Sequence, residues 1–320
     1  MDDLLAAFAR GEQRALARAI TLCESGRGEE LIRALFGRAG RALTIGLTGP
    51  PGVGKSTLTA ALVTHVRRLG KTAGVISVDP SSPFSHGALL GDRIRLTEHF
   101  VDEGVFIRSM ASRGHLGGVA GATADAATLM DAFGYDVVLV ETVGVGQSEI
   151  EIAEIADTVL VALQPGSGDT VQMLKAGILE IADVFVVNKR DHPMALQLQR
   201  EIRSMLEMLD FAGWMPELIA TQAIEGAGVA ALWDAIAAHA AYLRGSGEIA
   251  AKRRGAFEHR VRALALGALE RRVDALVAAV ADGGDPYAAA RDVLARFGED
   301  DPAPAAPRRR AGVRARVKGL

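Results

Sequence analysis

LTIGLTGPPGVGKSTLTAALVTHVRRL, residues 43 to 69, decides how this chain of 320 residues is read. Its first six residues form a continuous apolar and β-branched run, the pattern of a strand buried on both faces. From Ser56 onward Leu58, Leu62, Val66 and Leu69 recur at helical spacing. Between strand and helix, Gly49, Gly54, Lys55 and Ser56 stand at the spacing GxxxxGK(S/T). Backbone N–H groups wrap an anion only where no Cβ intrudes, so such a loop needs glycines, and a lysine here brings charge to the terminal phosphates of a nucleotide. The predicted nucleotide-binding set is Gly49, Pro50, Pro51, Gly52, Val53, Gly54, Lys55, Ser56 and Thr57, with Ser56 also a Mg2+ ligand.

Working outward, apolar runs recur at 43 to 48, 73 to 78, 105 to 109, 136 to 141, 158 to 163, 183 to 187 and 217 to 221, most of them separated by helical patterns. Continuous apolar strands alternating with helices predict an α/β fold, a doubly wound and mostly parallel sheet, with ligands at the strands' carboxyl ends. Residues 1 to 40 read as an N-terminal helical extension broken near the SGRG turn at 25 to 28, and 41 to 245 as the nucleotide-binding domain. Residues 246 to 300 read as a helical arm, whose Ala, Leu and Val with alternating charge suit self-association and predict a homodimer. The final stretch, 301 to 320, holds five Arg, one Lys and one Asp among prolines and reads as a basic disordered tail.

The base follows from VVNKRD. Asn188, Lys189 and Asp191 match NKxD after a strand ending at Val187. A carboxylate at Asp191 accepts both the N1–H and the 2-amino proton of guanine, a pair that adenine lacks. The Lys189 stem is placed to lie along the base, Asn188 to brace the loop, and Ala223 in ATQAIEGAG to offer a second contact to the base. Asp79 closes ISVD and Glu141 closes DVVLVE, both at strand ends, and Asp92 lies in GALLGDRIRL. Oxygen ligands at these places suit magnesium, so Ser56, Asp79, Asp92 and Glu141 are its predicted ligands, and Asp79 or Asp92 with Lys55 the catalytic set. Gly144, three residues beyond Glu141, is placed to sense the γ-phosphate.

Composition excludes several classes. The net charge of −3 and pI near 6.2 argue against general nucleic-acid binding. The single cysteine, Cys23, rules out an intrachain disulfide, and the acidic start MDDLLAAFARGE lacks the basic region of a signal peptide. No apolar run approaches the ~20 residues of a spanning helix, so no membrane is expected and the default location is cytoplasmic.

The set GLTGPPGVGKST, SVDPSSPF, GALLGDRIRL, ASRGHLGG, ETVGVGQSE, QPGSGD and VVNKRD closely resembles the MeaB-type GTPases, over roughly residues 40 to 225, and GGDPYAAA resembles that family's helical arm. The resemblance implies a GTPase that gates adenosylcobalamin delivery to methylmalonyl-CoA mutase, or a related acyl-CoA mutase, and protects it. It also implies an additional switch over Gln164 to Lys175, including Asp169 and Lys175. Two features depart from the family's usual pattern: His86 stands where Gly is common, and NKRD, with Arg190 at its variable position, is followed by His192 and Pro193 instead of a small turn.

The reaction so predicted is GTP plus water to GDP plus phosphate, without a covalent nucleophile. Gln147, six residues beyond Glu141, is not in the place of the water-orienting glutamine of small signalling GTPases, so slow turnover stimulated by a partner is expected. Three rivals share the architecture. A metal-insertion GTPase needs clustered Cys or His, which the lone Cys23 and seven scattered histidines do not supply. An ATP-dependent kinase of transport-binding proteins conflicts with NKRD, and a nucleotide-switched scaffold would make hydrolysis incidental.

Overall fold

The computed structural model describes residues 1–80, 98–112, 118–142, 151–166, 178–211, 213–278 and 285–299. Three helices open the chain: α1 (Asp2–Ala9), α2 (Gln13–Glu24) and α3 (Glu29–Leu35). The sheet follows as β1 (Leu43–Thr48), α4 (Lys55–Arg68), β2 (Ala73–Pro80), β3 (Val105–Ser112), α5 (Gly118–Phe133) and β4 (Val137–Glu141). It continues through β5 (Thr158–Leu163), α6 (Ile178–Ile181), β6 (Val184–Val187), α7 (Ala195–Glu207) and β7 (Glu217–Ala220). Three helices close the chain, α8 (Val229–Ser246), α9 (Glu248–Val277) and α10 (Pro286–Glu299).

All seven predicted strands form, in one sheet of order β3-β2-β4-β1-β5-β6-β7 with every pairing parallel. Alternation within each run explains how continuous apolar strands serve two faces. Val138, Val140, Val159, Val161, Phe185 and Val187 face one core with α2, α5 and α7. Leu139, Leu160, Val184 and Val186 face the other with Leu58 and Leu62 of α4 and Leu232 and Ile236 of α8. Truncating a fully buried leucine such as Leu58 to Ala is expected to cost about 2–5 kcal/mol.

Strand starts shift by one residue where an aspartate has other work. Asp136, read as the start of a strand, instead accepts from Thr72 N and Thr72 Oγ1, and Asp183 accepts from Val159 N at 2.8 Å. The N-terminal helices break twice rather than once, the added break falling at Gly11, whose φ of 79° favours glycine. They cover α5, with Phe8 edge-on to Phe133 at 5.1 Å between centroids. Cys23 is buried in that seam, and burial pushes its thiol up to about 12.

The chain divides into two compact units, Met1–Ala263 and Leu264–Leu320. The first holds the whole sheet and the start of α9; the second holds the rest of α9 and α10. The predicted tail at 301 to 320 lies outside the described residues. Among the described residues no helix is long and apolar enough to cross a membrane.

Candidate functional site

β1 lies at the centre of the sheet, between β4 and β5, and the chain after β1 turns to one side through α4 while β5 to β7 extend the other. This change of direction opens a crevice at the carboxyl ends, and the 49–54 loop occupies it. Register places Glu141 opposite Leu47 of β1 and Ser77 of β2, beside the first turn of α4.

The loop's glycines have separate reasons. Gly49 has φ 144°, and a Cβ there would stand 2.1 Å from the Ala162 carbonyl oxygen of β5. Gly54, with φ 94°, caps α4, and its Cβ would meet Asn188 Nδ2 at 2.7 Å. Gly52 is also left-handed, with φ 78°. Together they leave backbone, not side chain, on the inner surface of the loop, and the N-terminus of α4 behind it presents amides and a favourable dipole to an anion. Lys55 is buried, and its Nζ donates to Gly49 O at 2.7 Å and Pro50 O at 3.1 Å.

Glu141, at the end of β4, meets the first turns of α4. Ser56 Oγ donates to Glu141 Oε1 at 2.6 Å, and Thr59 Oγ1 donates to Oε2 at 3.0 Å, all three residues being buried. Hydroxyl and carboxylate oxygens at this spacing are hard donors of the kind that magnesium takes. Thr59 was not among the predicted residues. The signal was available, because Thr59 is three residues beyond Ser56 and shares its helix face.

The NKRD turn is built around Asn188, which is buried. Its Nδ2 donates to Val53 O at 2.8 Å, and its Oδ1 accepts from Thr221 Oγ1 and Ala223 N, each at 3.1 Å. Asn188 therefore ties the phosphate loop to the end of β7. The Ala223 N–H, predicted to meet the base, is engaged in this brace instead. Thr221, in the same ATQA stretch, is a second residue that sequence reading missed.

Lys189 is the described non-glycine residue with positive φ, 57°, a conformation that costs of order 1–3 kcal/mol and collects at functional sites. Its Nζ donates to Gly52 O at 2.9 Å and to Gln164 Oε1 at 2.5 Å. Arg190 N donates to Thr221 O at 3.0 Å, and Asp191 follows with its carboxylate exposed.

Asp79 lies on β2 opposite Ala111 of β3, at the carboxyl end of the sheet, while its side chain is outside the described part. Asp92, Gly144, Asp169 and Lys175 lie outside the described residues, as do His86 and Gln147. Among the described residues no group of three His, Cys, Asp or Glu is arranged around a metal position.

Comparison with known proteins agrees with this geometry. Residues 16–278 match the family model of the methylmalonyl Co-A mutase-associated GTPase MeaB. A Pyrococcus horikoshii protein named as a GTPase is 44% identical, over 93% of this chain and 98% of its own. The mouse methylmalonic aciduria type A homolog, a mitochondrial protein, is 38% identical over 79% of this chain and 66% of its own. The solved structure of a protein named LAO/AO transport system kinase superposes with a TM-score of 0.69 at 27% identity, covering 93% of this chain and 97% of that one. The strand–loop–helix, its carboxylate partner on β4 and the NKRD turn thus sit in a chain that belongs to the MeaB family of GTPases, binding GTP and hydrolysing it to GDP and phosphate.

Proposed function

We propose that this GTPase gates adenosylcobalamin delivery to an acyl-CoA mutase, methylmalonyl-CoA mutase first among them, and protects that enzyme. The observation that carries the nucleotide-hydrolysis half is the contact of Ser56 with Glu141 across the mouth of the phosphate loop, and the NKRD turn braced by Asn188 supports guanine as the base. The client half rests on the family's association with methylmalonyl Co-A mutase and on the name of the mouse relative.

In this reading Lys55 and the loop amides hold the β- and γ-phosphates, Asp191 reads guanine, and Lys189 lies along the base. Ser56 would hold Mg2+ directly, with Glu141 behind it and Asp79 and Asp92 completing the set; the ion when bound neutralises charge on the transferred phosphoryl group. Asp79 or Asp92 orients the attacking water. Glu141 keeps the Ser56 hydroxyl aimed, and Thr59 keeps Glu141 from swinging away.

The 246 to 300 arm is proposed to self-associate, because Phe257, Val261, Leu264 and Leu269 are exposed on α9. Light scattering at concentrations well above micromolar should give a dimer mass; a monomer there sinks that part. For the function, GTP and ATP turnover are compared with and without an adenosylcobalamin-dependent acyl-CoA mutase. Turnover selective for GTP and raised severalfold or more by the mutase is expected. Turnover of GTP indifferent to the mutase removes the client, and a preference for ATP would favour a kinase activity of the kind the solved relative is named for.

A further inference from the structure

We infer that Gln164 is a positioning residue for base recognition, holding the Lys189 ammonium over the phosphate loop. The inference rests on the guanine-site reading above and goes beyond the NKxD residues themselves.

Three segments distant in sequence meet at one ammonium. Lys189 Nζ donates to Gly52 O of the phosphate loop and to Gln164 Oε1 just past the end of β5. The same Gln164 side chain leans over the loop, its Nε2 4.0 Å from where a Cβ on Gly52 would stand. Two residues on, Gly166, with φ 76°, passes the His192 ring, 3.6 Å from where its own Cβ would be. The exit of β5 is therefore applied to the NKRDH turn at two points.

The chemistry of lysine explains why a second acceptor matters. Lys189 is exposed, and its four-carbon stem has many rotamers to lose when a base packs along it. One carbonyl, Gly52 O, fixes the ammonium's distance from the loop but not the path of the stem. A second acceptor from the β5 side fixes the path, so the stem is already extended before a nucleotide arrives, and preorganisation of this kind lowers the cost of binding. The left-handed backbone at Lys189 directs the side chain across the loop, and Gln164 keeps it there.

Because the base is remote from the reacting phosphate, the contribution falls on binding of substrate and transition state alike, and so on KM rather than kcat. Because Lys189 is exposed, its bond to Gln164 is screened to ordinary strength, and losing it predicts a rise of about three- to tenfold in the Kd for GDP and the KM for GTP.

The test uses the full-length chain with Gln164→Leu, Gln164→Glu, Lys189→Met and the Gln164→Leu/Lys189→Met double variant. GDP affinity, GTP KM and kcat, and the denaturation midpoint are measured for each. Gln164→Leu should weaken GDP and raise KM by that factor while kcat changes by less than about twofold. Gln164→Glu, which keeps the acceptor and adds charge, should match or exceed the native affinity. In the Lys189→Met background Gln164→Leu should have no further effect, since its partner is gone. Additive losses in the double variant, or native GDP affinity in Gln164→Leu, overturn the inference. So does a Gln164→Leu variant whose kcat and midpoint fall together with its affinity, which marks a structural role. Failure of the guanine reading itself shows separately, as a native protein that binds ADP as tightly as GDP.

Discussion

The two ends of the same sheet solve opposite problems. At the carboxyl end the chain accepts left-handed glycines at 49, 52 and 54 and a left-handed lysine at 189, and it aims a buried carboxylate, Glu141, at hydroxyls of α4. At the amino end carboxylates are saturated. Asp157 takes both Nε and Nη2 of Arg253 at 2.9 Å and Thr44 N at 3.0 Å. Asp183 takes Val159 N, Lys252 Nζ and the His239 ring, and its carbonyl takes Trp214 Nε1. Arg253 also reaches Gly40 O and Ala42 O, while Asp131 accepts from the amides of Gly40, Arg41 and Ala42. The N-terminal segment and the start of α9 are thus fastened to one place, on the side of the sheet away from the crevice. Strain is tolerated where a ligand is to bind because polar closure elsewhere holds the frame.

Breaking each end should separate binding from stability. The largest effect expected is Lys55→Ala, which removes the charge from the loop: nucleotide affinity should fall about 100-fold or more, far out of proportion to any change in the denaturation midpoint. Fluorescent GDP titration reads this, and undiminished affinity would contradict the site. The next is Asp157→Ala at the opposite end. Asp157 is buried and Arg253 is partly exposed, so removing the carboxylate should cost about 2–3 kcal/mol, below the full range for a wholly buried pair. Urea unfolding measures it, and GDP affinity should stay within about twofold of native. A large loss of GDP affinity in Asp157→Ala would mean that the two ends are not separable.

The same contrast governs what could be read in advance. The carboxyl end is written in local motifs: GPPGVGKST, VVNKRD and the carboxylate that closes DVVLVE each need only a few consecutive residues. Their contacts then follow from the order of strands, as when Ser56 meets Glu141, 85 residues away. The amino end has no such signature. Arg253 and Asp157 are 96 residues apart, Lys252 and Asp183 69, and nothing in AKRR distinguishes a residue that will seal a sheet edge from a solvated helix face. Gln164 was visible as the first residue of QPGSGD, yet its bond to Lys189 depends on two loops of adjacent strands arriving at the same height. His239 was one of seven scattered histidines in the sequence, and only the packing of Trp214 and Tyr242 around it reveals an enclosed polar group.

That histidine supplies the smallest and most selective test. His239 is almost wholly buried, with Nδ1 at 2.9 Å from Thr158 Oγ1 and Nε2 at 3.3 Å from Asp183 Oδ1. Burial pushes its pKa down; Asp183 pulls the other way, while nearby Lys252 adds to the downward push and Asp157 and Glu248 oppose it. The folded chain therefore keeps the ring neutral at a pH where the unfolded chain, near the ordinary value of about 6.5, takes up a proton. Above that value neither state gains a proton and the residue contributes no pH dependence. Below it the unfolded state binds more protons, so stability falls with decreasing pH until the folded ring also titrates, by at most ~1.4 kcal/mol per pH unit for this one group. The carboxylates of Asp125, Glu151 and Glu154 are pushed up by burial and so lose protons later in the fold than when unfolded, an opposite trend that the comparison must cancel. Urea midpoints from pH 5 to 8 for the native chain and His239→Gln accomplish this, since only the histidine differs. The native chain should lose stability relative to the variant as pH drops below about 6.5. Parallel curves would show that the ring titrates in the fold as it does in the unfolded chain. A native chain that gains stability relative to the variant as pH falls would show that the ring carries its proton in the fold, making Asp183 and His239 an ion pair rather than a neutral contact.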